Sequence, residues 1–147
     1  MTPLTAIEVA QHLLNADFQG WEIRTMGAIC MAESGRNPHA HGLNDNTPSS
    51  VAYLSEDHGL FQINDYWGPV VLSSFLLTEF ITTERSFSQI SKNPDWSAKA
   101  AREMFELRWL QSGSYVQGFT CWSAYNNNKH LPFMKEAYEA AKAVGAI

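Results

Sequence analysis

The sequence predicts an α+β domain, mainly helical, with one small antiparallel β-hairpin. Three features point there. Apolar residues recur at helical spacing in several separate stretches, as in Leu4, Ile7, Ala10 and Leu14. One short segment, Val51 to Asn64, instead alternates Val, Tyr, Leu, Phe and Ile with polar residues, which is strand patterning. The chain has 147 residues, 45% of them hydrophobic and 12% aromatic, which is material for one packed core and too little for two domains. Residues 1–147 are therefore read as a single domain, and intrinsic disorder is excluded.

The elements follow in order. Thr2-Pro3 offers a helix start, with a hydroxyl to cap free N–H groups and a proline preset at the first position. After a turn near Asp17 to Gly20, Trp21 to Glu33 reads as a mostly buried helix, since Ile23, Met26, Ala28, Ile29, Cys30 and Met31 leave little polar surface. Ser34-Gly35 and then Asn37-Pro38 close it, which puts Glu33 at a helix C-terminus. The macrodipole is negative there, so a partly buried carboxyl at this position is expected to have a raised pKa. His39 to Ser50 is turn chemistry and reads as a loop. In the hairpin that follows, Asp57-His58-Gly59 reads as the turn. Residues 70–81 read as an apolar helix, followed by a polar segment from Thr82 to Lys92. Asn93-Pro94 opens another helix with Ala98, Ala101, Phe105 and Trp109 inward and Arg102–Glu106 as an exposed pair, ended by Gly113-Ser114. Trp122 to Asn128 is a short aromatic stretch running into a turn. Pro132 starts a last helix with Phe133, Ala137, Ala140 and Val144 inward.

Charge and composition exclude several functions. Ten Lys and Arg stand against fifteen Asp and Glu, a net charge of −5, so there is no basic footprint for a phosphate backbone and nucleic acid is not an expected partner. The opening MTPLTAIEVAQHLL lacks the pattern of a secretory leader, and none is expected. Pro69 to Ile81 is shorter than the roughly 20 residues of a membrane helix and is broken by Ser73, Ser74, Thr78 and Glu79, so no membrane insertion is expected. Cys30 and Cys121 allow at most one disulfide, and the sequence leaves open whether they pair.

Three segments mix carboxylates, amides and aromatics: Ala32 to Gly35, Glu56 to Asn64 and Trp122 to Asn126. Sugar chains call for that mixture, because hydroxyls pair with amides and carboxylates while ring faces stack on Trp or Tyr. Glycoside cleavage further needs one carboxyl kept protonated by an apolar setting and another kept ionised by polar neighbours. Glu33, at the end of an apolar helix, suits the first role. Asp57, among polar residues, suits the second, although an Asp before a turn glycine also has a purely conformational use. His39, His41 and His58 with Asp45 nearby match no metal-ligand spacing, so neither a metal nor a cofactor is expected.

The order of AESG, SEDHGLFQIN, NPDWSAKAA and CWSAYNNN resembles the lysozyme superfamily, particularly lytic transglycosylase domains of the SLT type. SEDHGLFQIN is also similar to the matching hairpin of animal c-type lysozymes. The resemblance runs from about residue 21 to 130. It implies a lysozyme-like fold whose hairpin lines a glycan cleft, and a bacteriolytic enzyme that degrades the peptidoglycan of the cell wall. The bond cut would be the β-1,4 link between N-acetylmuramic acid and N-acetylglucosamine. By the same resemblance Glu33 matches the general acid and Asp57 the second carboxylate. Gln62 and Asn64 match hairpin residues that hydrogen-bond sugar, and Trp67 a stacking tryptophan. Trp122 falls where an aromatic flanks the acid, and Tyr125-Asn126 resembles the Tyr-Asn pair of transglycosylases. With Asp57 acting, water is the acceptor and the enzyme is a muramidase; without it, the sugar's own hydroxyl closes a 1,6-anhydro ring. A lysozyme-fold protein that binds glycan without turnover is the remaining alternative. The lack of a leader pattern fits a phage protein, virion-associated or released at host lysis, with other virion proteins as further partners; a bacterial protein exported without a cleaved signal is the alternative. Two departures stand out: His58 replaces the usual Tyr, and the cysteines follow no c-type disulfide pattern.

Overall fold

The computed structural model describes residues 2–43, 56–64 and 90–147. The mainly helical α+β expectation holds. In chain order the described elements are α1 (Ala6–Asn15), α2 (Trp21–Ser34), β1 (His41–Leu43), β2 (Glu56–His58), β3 (Ile63–Asn64) and α3 (Pro94–Ser112). A 3-10 helix (Tyr115–Cys121), α4 (Ser123–Asn126), a second 3-10 turn (Leu131–Phe133) and α5 (Met134–Ala143) complete them. Trp67, Asp45, the expected helix at 70–81 and the first part of the expected hairpin lie outside the described residues.

Helix α1 begins later than Thr2-Pro3 suggests. Thr5 is the N-cap, and its side chain and that of Glu8 exchange hydrogen bonds with each other's backbone N–H at 3.1 Å. The reason lies upstream: Leu4 accepts from Arg36 Nε at 3.0 Å and donates its N–H to the Arg36 carbonyl at 2.9 Å, so it is committed to another segment. The buried stripe is Val9, Ala10 and Leu13, rotated from the one expected, and Ile7 is 52% exposed.

Helix α2 is the central element, packing against α1, α4, α5 and the second 3-10 turn. It ends as expected, with Gly35 in the left-handed conformation at φ 61° and its N–H on the Met31 carbonyl. Ile23, Met26, Ile29 and Cys30 join Leu13, Phe18, Phe105 and Trp96 in the core. Helix α3 is capped by the Asn93 side chain and buries Ala98, Ala101 and Phe105, but Trp109 is 37% exposed because the helix outruns the core. Arg102 does pair with Glu106 at 2.8 Å, yet it also reaches the buried Glu22 at 3.0 Å and lies over the Phe18 ring, tying α3 to α2. Both cysteines are free, and burial pushes the Cys30 thiol up to about 12 and that of Cys121 to about 11. No helix of the described residues is long and apolar enough to cross a membrane.

Among the described residues the sheet has three strands in the order β1-β2-β3, all antiparallel. Two expectations change here. Residues 41–43 form a strand within the expected loop, and Asp57 and His58 lie on β2 with the turn falling at 59–62. Gly59 is what permits this turn: it takes φ 80°, and a Cβ there would stand 2.6 Å from the Ser91 carbonyl oxygen.

Candidate active site

The end of α2, the hairpin turn and α4 converge. Glu33, the penultimate residue of α2, is half-buried and accepts a hydrogen bond on Oε1 from the Ala124 N–H at 3.2 Å. Burial pushes the Glu33 carboxyl above the ordinary carboxylate range, and the negative charge of Asp57 pushes the same way; the Ala124 N–H and the Lys129 ammonium oppose them. Glu33 is therefore the group that holds its proton more tightly than a solvated glutamate does.

Asp57 reaches the site from β2. Its register partners are Gly42 on one side and Asn64 on the other, so Asp57 and Asn64 share a face of the sheet. Asn64 donates its side-chain N–H to Asp57 Oδ1 at 3.0 Å, a bond that favours the ionised carboxylate. Both carboxyls are half-buried and each accepts one N–H, Glu33 from the Ala124 backbone and Asp57 from the Asn64 side chain.

Two bonds fasten the hairpin to the end of α2 and the start of α4. Ser34, next to Glu33, donates its hydroxyl to the Leu60 carbonyl at 2.7 Å, with the Cys30 carbonyl a longer neighbour at 3.1 Å. The indole of Trp122 donates to the next carbonyl, Phe61, at 2.9 Å, and Trp122 also caps the N-terminus of α4. The turn that precedes Asn64 is accordingly held by the same two elements that hold Glu33.

The other expected site residues are placed as follows. Gln62 adopts φ 48°, and its amide nitrogen donates to the carbonyls of Ala40 at 3.1 Å and Gly59 at 3.0 Å. Both of its amide hydrogens are thus used inside the hairpin, while its oxygen lies beside Gly42. Trp122 is buried, Tyr125 is half-buried with its ring against Phe119 and His130, and Asn126 is exposed with its amide on the Thr120 carbonyl at 3.0 Å. Glu33, Asp57 and Asn64 come together; Trp67 is outside the described residues. Sequence reasoning missed the Ala124 N–H, Ser34 and Lys129. A backbone donor leaves no letter to read, but a Ser four residues after Cys30 at a helix end is a recognisable signal for a back-bonded hydroxyl.

The family model described as a lysozyme-like domain matches residues 10–106. Among solved structures, a lysozyme from Litopenaeus vannamei superposes with a TM-score of 0.61 at 22% identity, over 94% of this chain and 98% of that one. None of the curated proteins matches.

Proposed function

The chain belongs to the family of lysozyme-like domains, and from that premise we propose that it is a muramidase, cutting the β-1,4 bond between N-acetylmuramic acid and N-acetylglucosamine in peptidoglycan. Membership by itself points to a peptidoglycan-acting glycosidase or lytic transglycosylase; the two carboxyls favour the hydrolase. The observation that carries the reading is a partly buried Glu33 whose pKa is raised, with a second carboxyl, Asp57, near enough for its charge to add to that rise.

In this mechanism Glu33 acts as general acid. Oε1 already accepts the Ala124 N–H, so the proton resides on Oε2, which has no partner among the described residues. As the glycosidic bond breaks, that proton passes to the departing sugar oxygen and leaves Glu33 as the carboxylate. The positive charge developing at the anomeric carbon meets the Asp57 carboxylate, which acts as nucleophile or electrostatic partner. Water then adds its oxygen at the anomeric carbon, displacing the Asp57 carboxylate where it has bonded there, and gives up a proton to Glu33. Desolvation raises the Glu33 pKa and so favours the protonated form from which this sequence of steps begins.

Purified peptidoglycan incubated with the wild type is expected to release soluble muropeptides, while Glu33→Gln, which keeps the shape but not the transferable proton, releases none above background. Equal release by both proteins rejects Glu33 as the acid. Binding of the polymer by both with release by neither returns the domain to a glycan-binding role.

A further inference from the structure

The sheet carries a second cluster on the face turned away from Asp57. His41 and His58 are direct cross-strand partners, and successive residues on a strand point to opposite faces, so this pair lies on the reverse of the Asp57–Asn64 face. With His39, Lys92, Ala40 and Gly59 they line an open cavity of about 340 Å³. Among the described residues of that lining every ionisable side chain is basic: three of the five histidines and one lysine, in a chain of net charge −5. Glu56, on the same face of β2, stands with Oε2 3.8 Å from His58 Nε2.

The walls are held in place. Gly59 donates its N–H to the Ala40 carbonyl at 2.8 Å, joining the two sides of the lining. The turn approaches the Ser91 carbonyl so closely that only glycine fits at 59, and the buried Ser97 hydroxyl holds that same carbonyl at 2.7 Å. Lys92 is therefore brought to the histidines by fixed backbone. A cation is a poor fit, since no three His, Cys, Asp or Glu side chains among the described residues converge to hold a metal ion. Ammonium and imidazole N–H groups are instead donors matched to an oxyanion.

We propose that this cavity binds an oxyanion, a phosphate ester or a carboxylate, through His39, His41, His58 and Lys92. None of these side chains takes part in the cleavage mechanism, so the site stands or falls independently of it.

The test is NMR of the histidine ring resonances of the full chain, titrated with inorganic phosphate and separately with acetate in slightly acidic buffer at constant ionic strength. The expected result is saturable shifts of His39, His41 and His58, with His12 and His130, which lie outside the cavity, unmoved. His41→Gln combined with Lys92→Gln, both exposed positions, should weaken phosphate binding by about tenfold or more. Saturation by phosphate alone assigns the site to phosphate esters, and saturation by both anions extends it to carboxylates. Shifts that do not saturate, that spread equally over all five histidines, or that survive the double substitution overturn the proposal.

Discussion

Glu33 shows how one residue's setting controls its chemistry. Its pKa is raised chiefly by burial, so the folded protein binds that proton more tightly than the unfolded chain does. The stability this group contributes is fully present below the unfolded pKa and is lost as pH rises through the folded one, because the ionised form bears the desolvation penalty. Glu33→Gln removes that penalty and keeps an acceptor for the Ala124 N–H. It should therefore melt at a higher temperature than the wild type at neutral pH, with the advantage vanishing in acid. Thermal melts across pH check this; a difference that does not vary with pH rules out burial of the charge as its cause. The raised pKa was legible, because Ser34-Gly35 marks a helix end and the helix before it is apolar. The amide on Glu33 was not, since it belongs to the backbone of a residue ninety-one positions away. Asn64 was legible as a polar hairpin residue but not as the partner of Asp57, which depends on register.

At the level of elements, the turn at 59–62 decides where Asp57 goes. An Asp preceding His-Gly reads as a turn residue by composition, yet the left-handed positions are Gly59 and Gln62, and Asp57 stays in the strand. Gly59→Ala should be costly for two reasons. An L residue in the left-handed region costs about 1–2 kcal/mol, and its Cβ meets the Ser91 carbonyl oxygen at 2.6 Å, backbone that cannot swing aside. Gly35 is the control: at φ 61° with nothing within 4 Å of a Cβ, Gly35→Ala incurs only the first cost. Denaturant unfolding of both variants is expected to rank Gly59→Ala as the more destabilised, and equal losses would contradict the close approach to Ser91. The same scale explains what the sequence concealed. Strand β1 has three residues and no apolar alternation, so it exists by pairing with β2 and has no pattern of its own. Helix α1 was legible as a helix but not in its rotation, because both stripes have helical spacing and packing chose Leu13 over Ile7.

For the whole molecule, α2 is both the centre of the core and the carrier of Glu33, so burial of its apolar faces fixes where Glu33 stands. The hairpin comes to it through consecutive carbonyls, Leu60 held by Ser34 and Phe61 held by Trp122, and Asp57 arrives with the hairpin. The sequence patterns conveyed that there were helices around a small sheet; they could not convey which helix ends meet which turn, because those contacts join residues far apart in the chain. Through this convergence Glu33 and Asp57 are proposed to act as a hydrolytic pair. Mass spectrometry of the glycan ends released from peptidoglycan in water enriched in heavy oxygen tests that pairing. Reducing muramic acid ends that carry one solvent oxygen are expected from the wild type and absent with Glu33→Gln. Anhydro ends without solvent oxygen would contradict it, since the sugar's own hydroxyl, and not water, would then be the acceptor.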